Sequence, residues 1–223
     1  MSLEPRLVEV RRNILKQNDL VARDLRQRFR EAGVFVVSVV SSPGSGKTVL
    51  FERTLTMLRR HARVAALVGD LATDNDAARL ARSRAPVRQI TTGTLCHLEA
   101  AMVARSLDGW ELDALDYLFI ENVGNLVCPA SYDLGEDLRL VLVSVTEGED
   151  KPLKYPTIFN TADVAVITKV DLTRAVECDL AALRLNIHAV RPGLPILEVS
   201  GKAGTGMTEF LSFLSARRGV AVA

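Results

Sequence analysis

Ser41-Ser42-Pro43-Gly44-Ser45-Gly46-Lys47-Thr48 runs directly into the helical stretch Val49-Leu50-Phe51-Glu52-Arg53. The spacing is that of a phosphate-binding loop, G-x-x-x-x-G-K-S/T, with Ser41 where the first Gly usually stands. Gly44 and Gly46, on either side of Ser45, let backbone N–H groups turn inward around phosphate oxygens, which the positive end of the following helix also attracts. Lys47 supplies a mobile cation for the β- and γ-phosphates, and the Thr48 hydroxyl suits a Mg²⁺ ion.

About 120 residues downstream, an apolar run ends in Thr168-Lys169-Val170-Asp171. A carboxylate at Asp171 can accept two hydrogen bonds from the N1–H and exocyclic amine of guanine. Adenine offers no matching pair of donors, so GTP is expected. Lys169 can lay its alkyl stem on the base. Thr168 stands where many GTPases have Asn and the signal-recognition class has Thr. A later strand ends in Ser200-Gly201-Lys202, a loop suited to present a main-chain N–H to guanine O6. T-K-x-D is a weak motif alone and becomes specific in register with the phosphate loop and this Ser-Gly-Lys.

Two further strand ends carry acids. Glu121, at the end of Leu118-Phe119-Ile120, can hold a water of Mg²⁺, which keeps part of its hydration shell. Gly124 offers a backbone N–H toward a γ-phosphate. Asp70, after Val68-Gly69, can orient the attacking water or a metal-bound water. Asp74 and Asp76 are placed to cap the next helix.

Sulfur and imidazole are concentrated elsewhere. Cys96 and His97 are adjacent, and Cys128 follows Glu121 through Asn122-Val123-Gly124-Asn125-Leu126-Val127. Such donors suit Ni²⁺ or Zn²⁺, not Mg²⁺. Neighbouring residues of a regular helix point about 100° apart. Cys96 and His97 can therefore share an ion only at a helix end, unless they serve different ions or subunits. Three donors underfill a four-coordinate site, which sharing across a dimer would complete, and a loosely filled site can release its metal. Cys178 has no companion donor in its expected helix and is read as structural.

The elements that must position these groups follow from periodicity. Leu3, Leu7, Val10, Ile14, Val21, Leu25 and Phe29 mark an amphipathic helix over 1–33. Its arginine-rich other face is interleaved with acids and is expected to be solvated. Continuous β-branched runs at 34–40, 64–68, 117–120, 138–145, 164–168 and 196–199 read as strands buried on both faces. Helical stretches at 49–60, 98–107, 175–190 and 207–216 alternate with them. The expected fold is α/β, a P-loop NTPase with a mainly parallel central sheet and helices on both faces. The expected organisation is the N-terminal helix (1–33) packed on one GTPase domain (34–218), with a tail at 219–223. Ligands then lie beyond the carboxyl ends of the strands.

Composition limits the alternatives. Lys plus Arg number 28 against 27 for Asp plus Glu, and aromatics make up 5%, which argues against nucleic-acid and membrane-surface partners. Three cysteines are too few for a disulfide framework. The longest apolar run, 34–40, falls short of a membrane span, and the first residues lack a signal-peptide layout. A cytoplasmic protein is expected.

On these motifs the sequence resembles the HypB family, the SIMIBI-class nickel-incorporation GTPases of nickel–iron hydrogenase maturation. The resemblance is carried by 42–48, Gly69-Asp70, Thr92-Gly93 leading to Cys96-His97, and Glu121 to Pro129. It continues through Glu147 to Pro156 and Thr168 to Leu172. It implies slow hydrolysis of GTP to GDP and phosphate, a homodimer promoted by GTP, and a nickel or zinc site of Cys96, His97 and Cys128 at the dimer interface. It also implies partnership with a HypA-type nickel chaperone and delivery of Ni²⁺ to the hydrogenase large subunit. Some family members begin with a Cys-rich nickel motif or a His-rich storage stretch. The helix from Leu3 to Arg30 has neither Cys nor His, so nickel storage is not expected of it. A urease-type nickel GTPase typically has His after the Cys-Pro pair, where Ala130 stands here. A cobalamin-enzyme chaperone GTPase would lack metal ligands, and in a small-molecule kinase Asp171 would be incidental.

Overall fold

Stretches with apolar side chains on both strand faces can be stabilised only between two layers of helix, and the chain folds accordingly. The computed structural model describes residues 4–71 and 75–219. Its strands are β1 (Phe35–Ser41), β2 (Val64–Asp70), β3 (Val87–Thr91), β4 (Tyr117–Glu121), β5 (Leu138–Ser144), β6 (Val164–Thr168) and β7 (Ile196–Val199). They form one sheet in the order β3-β2-β4-β1-β5-β6-β7, parallel at every pairing.

The helices are α1 (Glu4–Ala32), α2 (Lys47–Leu58), α3 (Asn75–Ala81), α4 (Ala100–Ser106), α5 (Lys151–Lys154), α6 (Pro156–Thr161), α7 (Leu180–Val190) and α8 (Met207–Arg218). Alternation along β1 distributes them. Val37 and Val39 pack with Phe51 and Leu55 of α2 and Phe210 of α8. Val36 faces the opposite layer, with Leu25 and Phe29 of α1 and Val103 of α4. Val40 meets Phe159 of α6 and Ile187 of α7. The sheet is thus covered on both faces, and its carboxyl ends remain open.

Several elements differ from expectation. Strand β3 has no continuous apolar run, because as an edge strand it buries only Ile90 fully. The helix expected from 175 starts at Leu180: Asp179 caps it by accepting from Ala182 N at 3.0 Å, after Glu177 turns left-handed at φ 54°. Cys178 therefore lies in the turn before α7, where burial and the nearby Glu149 carboxylate push its thiol up to about 11. Along α1, Ala22, Leu25 and Phe29 are buried while Ile14 is 46% exposed. Leu3 and Asp74 lie outside the described residues, as do the side chains of Leu7 and Val10. Arg26, expected in solvent, turns inward to pair with Asp133 at 2.6 Å.

Candidate nucleotide and metal sites

The phosphate loop leaves the end of β1 and enters α2, flanked in the sheet by β4 and β5. Gly46, at φ 99°, makes the turn that starts the helix at Lys47. A cavity of about 400 Å³ opens here, lined by Gly44, Gly46, Lys47, Thr48, Asp70, Asp76, Arg79, Gly124 and Lys169 among others. Gly124 crosses directly above the loop: a Cβ there would lie 3.0 Å from the Cα of Pro43, so a side chain at 124 would push the two segments apart. Ser45 turns its hydroxyl away from the cavity to Ser41 at 2.5 Å. Glu147 braces the loop from outside, accepting from Ser42 Oγ and, at 2.8 Å, from Ser144 N.

A second cavity of about 260 Å³ adjoins the first, since Gly46 and Lys169 line both. Its walls are Val49, Leu50, Thr168, Asp171, Leu172, Ser200, Gly201 and Lys202, a mostly apolar slot with one carboxylate, suited to a purine. The β6 loop is fastened to the phosphate loop. Thr168 Oγ1 donates to Ser45 O at 2.6 Å and Lys169 Nζ to Gly44 O at 2.7 Å. Lys169 thereby keeps its stem between the two cavities.

Beneath the phosphate cavity, Thr48 Oγ1 donates to Glu121 Oε1 at 2.8 Å. Glu121 is 1% exposed and its Oε2 has no hydrogen-bond partner among the described residues. Burial raises its carboxyl to about 7 against the opposing charge of Lys47. An orphaned buried carboxylate oxygen beside a threonine hydroxyl fits a hard divalent cation such as Mg²⁺. Lys47 is held below the usual lysine range by burial, offset by Glu121, Asp76, Glu147 and Asp70. Asp70 lines the same cavity and accepts from Leu71 N at 2.6 Å.

The sulfur and nitrogen donors converge separately. Between β3 and α4 the backbone is not helical, so Cys96 and His97 escape the 100° divergence of helix neighbours. Cys128 opens a short 3₁₀ turn, Cys128–Ser131, after β4. Donor atoms of Cys96, His97 and Cys128 all lie within 4.8 Å of one another. The two sulfurs face each other at 2.8 Å, and His97 Nδ1 is 4.0 Å from Cys96 Sγ. His97 Nε2 points the other way, 3.7 Å from Glu99 Oε1. Burial lowers the His97 pKa, opposed by Glu99, which favours the neutral imidazole a metal requires. The ring of Tyr132 covers His97 at 3.9 Å between centroids. Two thiols and an imidazole fit a borderline or soft transition metal.

Amide side chains hold these segments. Asn122 Oδ1 accepts from Leu98 N and Val123 N, both at 2.9 Å, and Asn125 Oδ1 accepts from Val127 N at 2.7 Å. These supporting residues escape sequence reading because their partners are backbone groups, one of them on a distant segment, and Arg79 because only the fold brings it to the phosphate cavity. The Asn-x-x-Asn spacing from Asn122 to Asn125 beside the expected Glu121 and Cys128 was the available signal.

A parallel sheet with a phosphate loop after its first strand, the cavity beyond the strand ends and the acids of β2 and β4 define a P-loop nucleotide-binding protein. Residues 35–198 match the family described as CobW/HypB/UreG, nucleotide-binding domain. Within that class the chain belongs to the HypB family of hydrogenase maturation factors. It is 45% identical over 218 residues to the hydrogenase maturation factor HypB of Azotobacter chroococcum mcd 1, covering 97% of this chain and 71% of that protein. The crystal structure of HypB from Helicobacter pylori in complex with nickel superposes with a TM-score of 0.86 at 39% identity, covering 91% of this chain and 95% of that one. The hydrogenase maturation factor HypB of Archaeoglobus fulgidus superposes with a TM-score of 0.84 at 39% identity, covering 91% and 99%.

Proposed function

We propose that this protein is a GTP-hydrolysing nickel metallochaperone of the cytoplasm, whose nucleotide state controls dimerisation and metal release. The observation that carries the reading is the convergence of Cys96, His97 and Cys128 within 4.8 Å, with Cys128 on the segment that continues from Glu121 and Gly124. A cobalamin-enzyme chaperone has no use for such a cluster. In this reading residues 34–218 are the GTPase domain, 1–33 a helix packed on it and 219–223 a tail.

Main-chain N–H groups from Gly44 to Thr48, with Lys47, bind the β- and γ-phosphates. Asp171 reads the guanine edge, Lys169 lies along the base, and Ser200-Gly201-Lys202 backs it. Thr48 and Glu121, with Asp70 through a water, hold Mg²⁺, which when bound neutralises charge developing on the phosphates. Asp70 also orients the attacking water. Gly124, in contact with Pro43, registers the γ-phosphate, and the strand-end segment carries that difference toward Cys128. Nickel, with zinc as the competing ion, is cargo held by two thiolates and the His97 imidazole. A second subunit supplies the remaining donors. A HypA-type chaperone and the hydrogenase large subunit are the expected giver and receiver.

Nickel affinity and molecular mass measured with GDP and with a non-hydrolysable GTP analogue, each with Mg²⁺, test this reading. Dimerisation and a changed nickel affinity in the GTP-like state are expected, and Cys128→Ala should remove both the metal and its response to nucleotide. Equal affinity for ATP and GTP would sink the guanine assignment.

A further inference from the structure

We propose that Asn18, on the N-terminal helix α1, is a positioning residue for the metal cluster, its side-chain amide clamping together the two chain segments that carry the ligands. The inference rests on the metal-site reading above. Asn18 sits in the apolar stripe of α1, between Ile14 and Val21, and is 7% exposed. A buried amide there is unfavourable unless its hydrogen bonds are made. Both are made to the metal site's own segments. Asn18 Oδ1 accepts from Ala100 N at 2.8 Å, and Asn18 Nδ2 donates to Asp133 O at 2.8 Å.

Each contact lies close to a ligand. Ala100 is the first residue of α4, three positions after His97, and the cap residue Glu99 makes no side-chain cap bond. Asn18 therefore caps α4 from another helix and fixes where the Cys96-His97 segment ends. Asp133 follows Tyr132, whose ring lies on His97 and which caps the turn that begins at Cys128. The same face of α1 secures this second segment again two turns on. Arg26 grips the Asp133 carboxylate through contacts of 2.6 and 2.8 Å. Gly135, at φ 81°, lies flush on α1: a Cβ there would come within 2.9 Å of Ala22 O. The helix is thus a splint across both halves of the cluster, and the Asn18 side chain is bonded to each of them.

Partners that orient metal ligands are typically worth about 10–100-fold in affinity. Nickel titration of the full chain should show Asn18→Ala weakened about tenfold, with an altered sulfur-to-nickel absorption band and GTP affinity within about twofold of wild type. Arg26→Met, at a partly exposed position, releases the second segment without opening the core. It should shift nickel affinity the same way by a smaller amount, about threefold. If Asn18→Ala loses GTP binding as well, its fold has failed and Arg26→Met decides. Unchanged nickel affinity and absorption in the folded variant would overturn the inference, even with a lowered Tm. Cys128→Ala is the control: if it abolishes nickel binding while Asn18→Ala does not, only the inference fails. If the wild-type chain binds no nickel, the metal-site reading falls and the inference with it.

Discussion

Asp70, Glu121 and Thr168 are the last residues of β2, β4 and β6, and Lys47 and Thr48 are the first of α2, so the nucleotide cavity is assembled from the termini of regular elements. The metal donors have no such support. Cys96 and His97 lie in an irregular stretch between β3 and α4, and Cys128 opens a single 3₁₀ turn. Strand ladders hold the first site through many backbone bonds, with Glu147 as an added brace. The amides of Asn18, Asn122 and Asn125 hold the second, and each is one substitution from being lost. A site for a permanent role profits from the first construction, and the second suits the release of cargo proposed above.

The sharpest attempt to break this contrast is Lys47→Ala. Loss of a buried cation on the phosphates should cost GTP affinity about a hundredfold or more by calorimetry, with nickel affinity of the nucleotide-free protein unchanged. A parallel fall in nickel affinity would mean the two sites share one scaffold.

Glu121→Gln should slow Mg²⁺-dependent hydrolysis about a hundredfold, read as phosphate release. Its effect on stability has the opposite sign. The folded carboxyl titrates near 7 rather than near 4.5, so the native state binds the extra proton and wild-type stability falls as pH rises between those values. Without Mg²⁺ or nucleotide, the Gln variant should therefore melt above wild type at pH 8, the difference vanishing toward pH 4.

A smaller effect is expected from Asn125→Ala, which frees Val127 N and loosens the turn that delivers Cys128. Nickel affinity should drop by up to about tenfold while GTP binding is untouched.

Asp116, remote from both sites, sets the baseline. Hydrogen bonds from Arg63, then Arg218, lower its carboxyl to about 2. Its stabilisation is present above pH 4 and lost as pH falls toward 2. Asp116→Asn should lower Tm by about 2 °C at pH 7, converge with wild type toward pH 2, and change neither binding constant.

The same contrast explains what could be read from sequence. Phosphate-loop chemistry resides in eight contiguous residues, and doubly covered strands announce themselves as unbroken apolar runs, so β1 and its flanking motifs are legible. Strand β3 covers one sheet edge, and its Arg88 and Gln89 hide it. Whether adjacent Cys96 and His97 can meet one ion depends on the local absence of helix, which composition does not encode. Asn18 is harder still, because it occupies the gap in an apolar stripe and its partners lie 82 and 115 residues away.

That separation has a consequence for biogenesis. The Asn18–Asp133 bond closes a loop of 115 residues, and contacts so distant along the chain form late, after local structure has reduced the entropy of closure. During synthesis α1 emerges before both segments that it braces, and its bond to Asp133 must wait for the 115 residues between them. The bracing of the cluster is therefore a late, long-range contact rather than a local one.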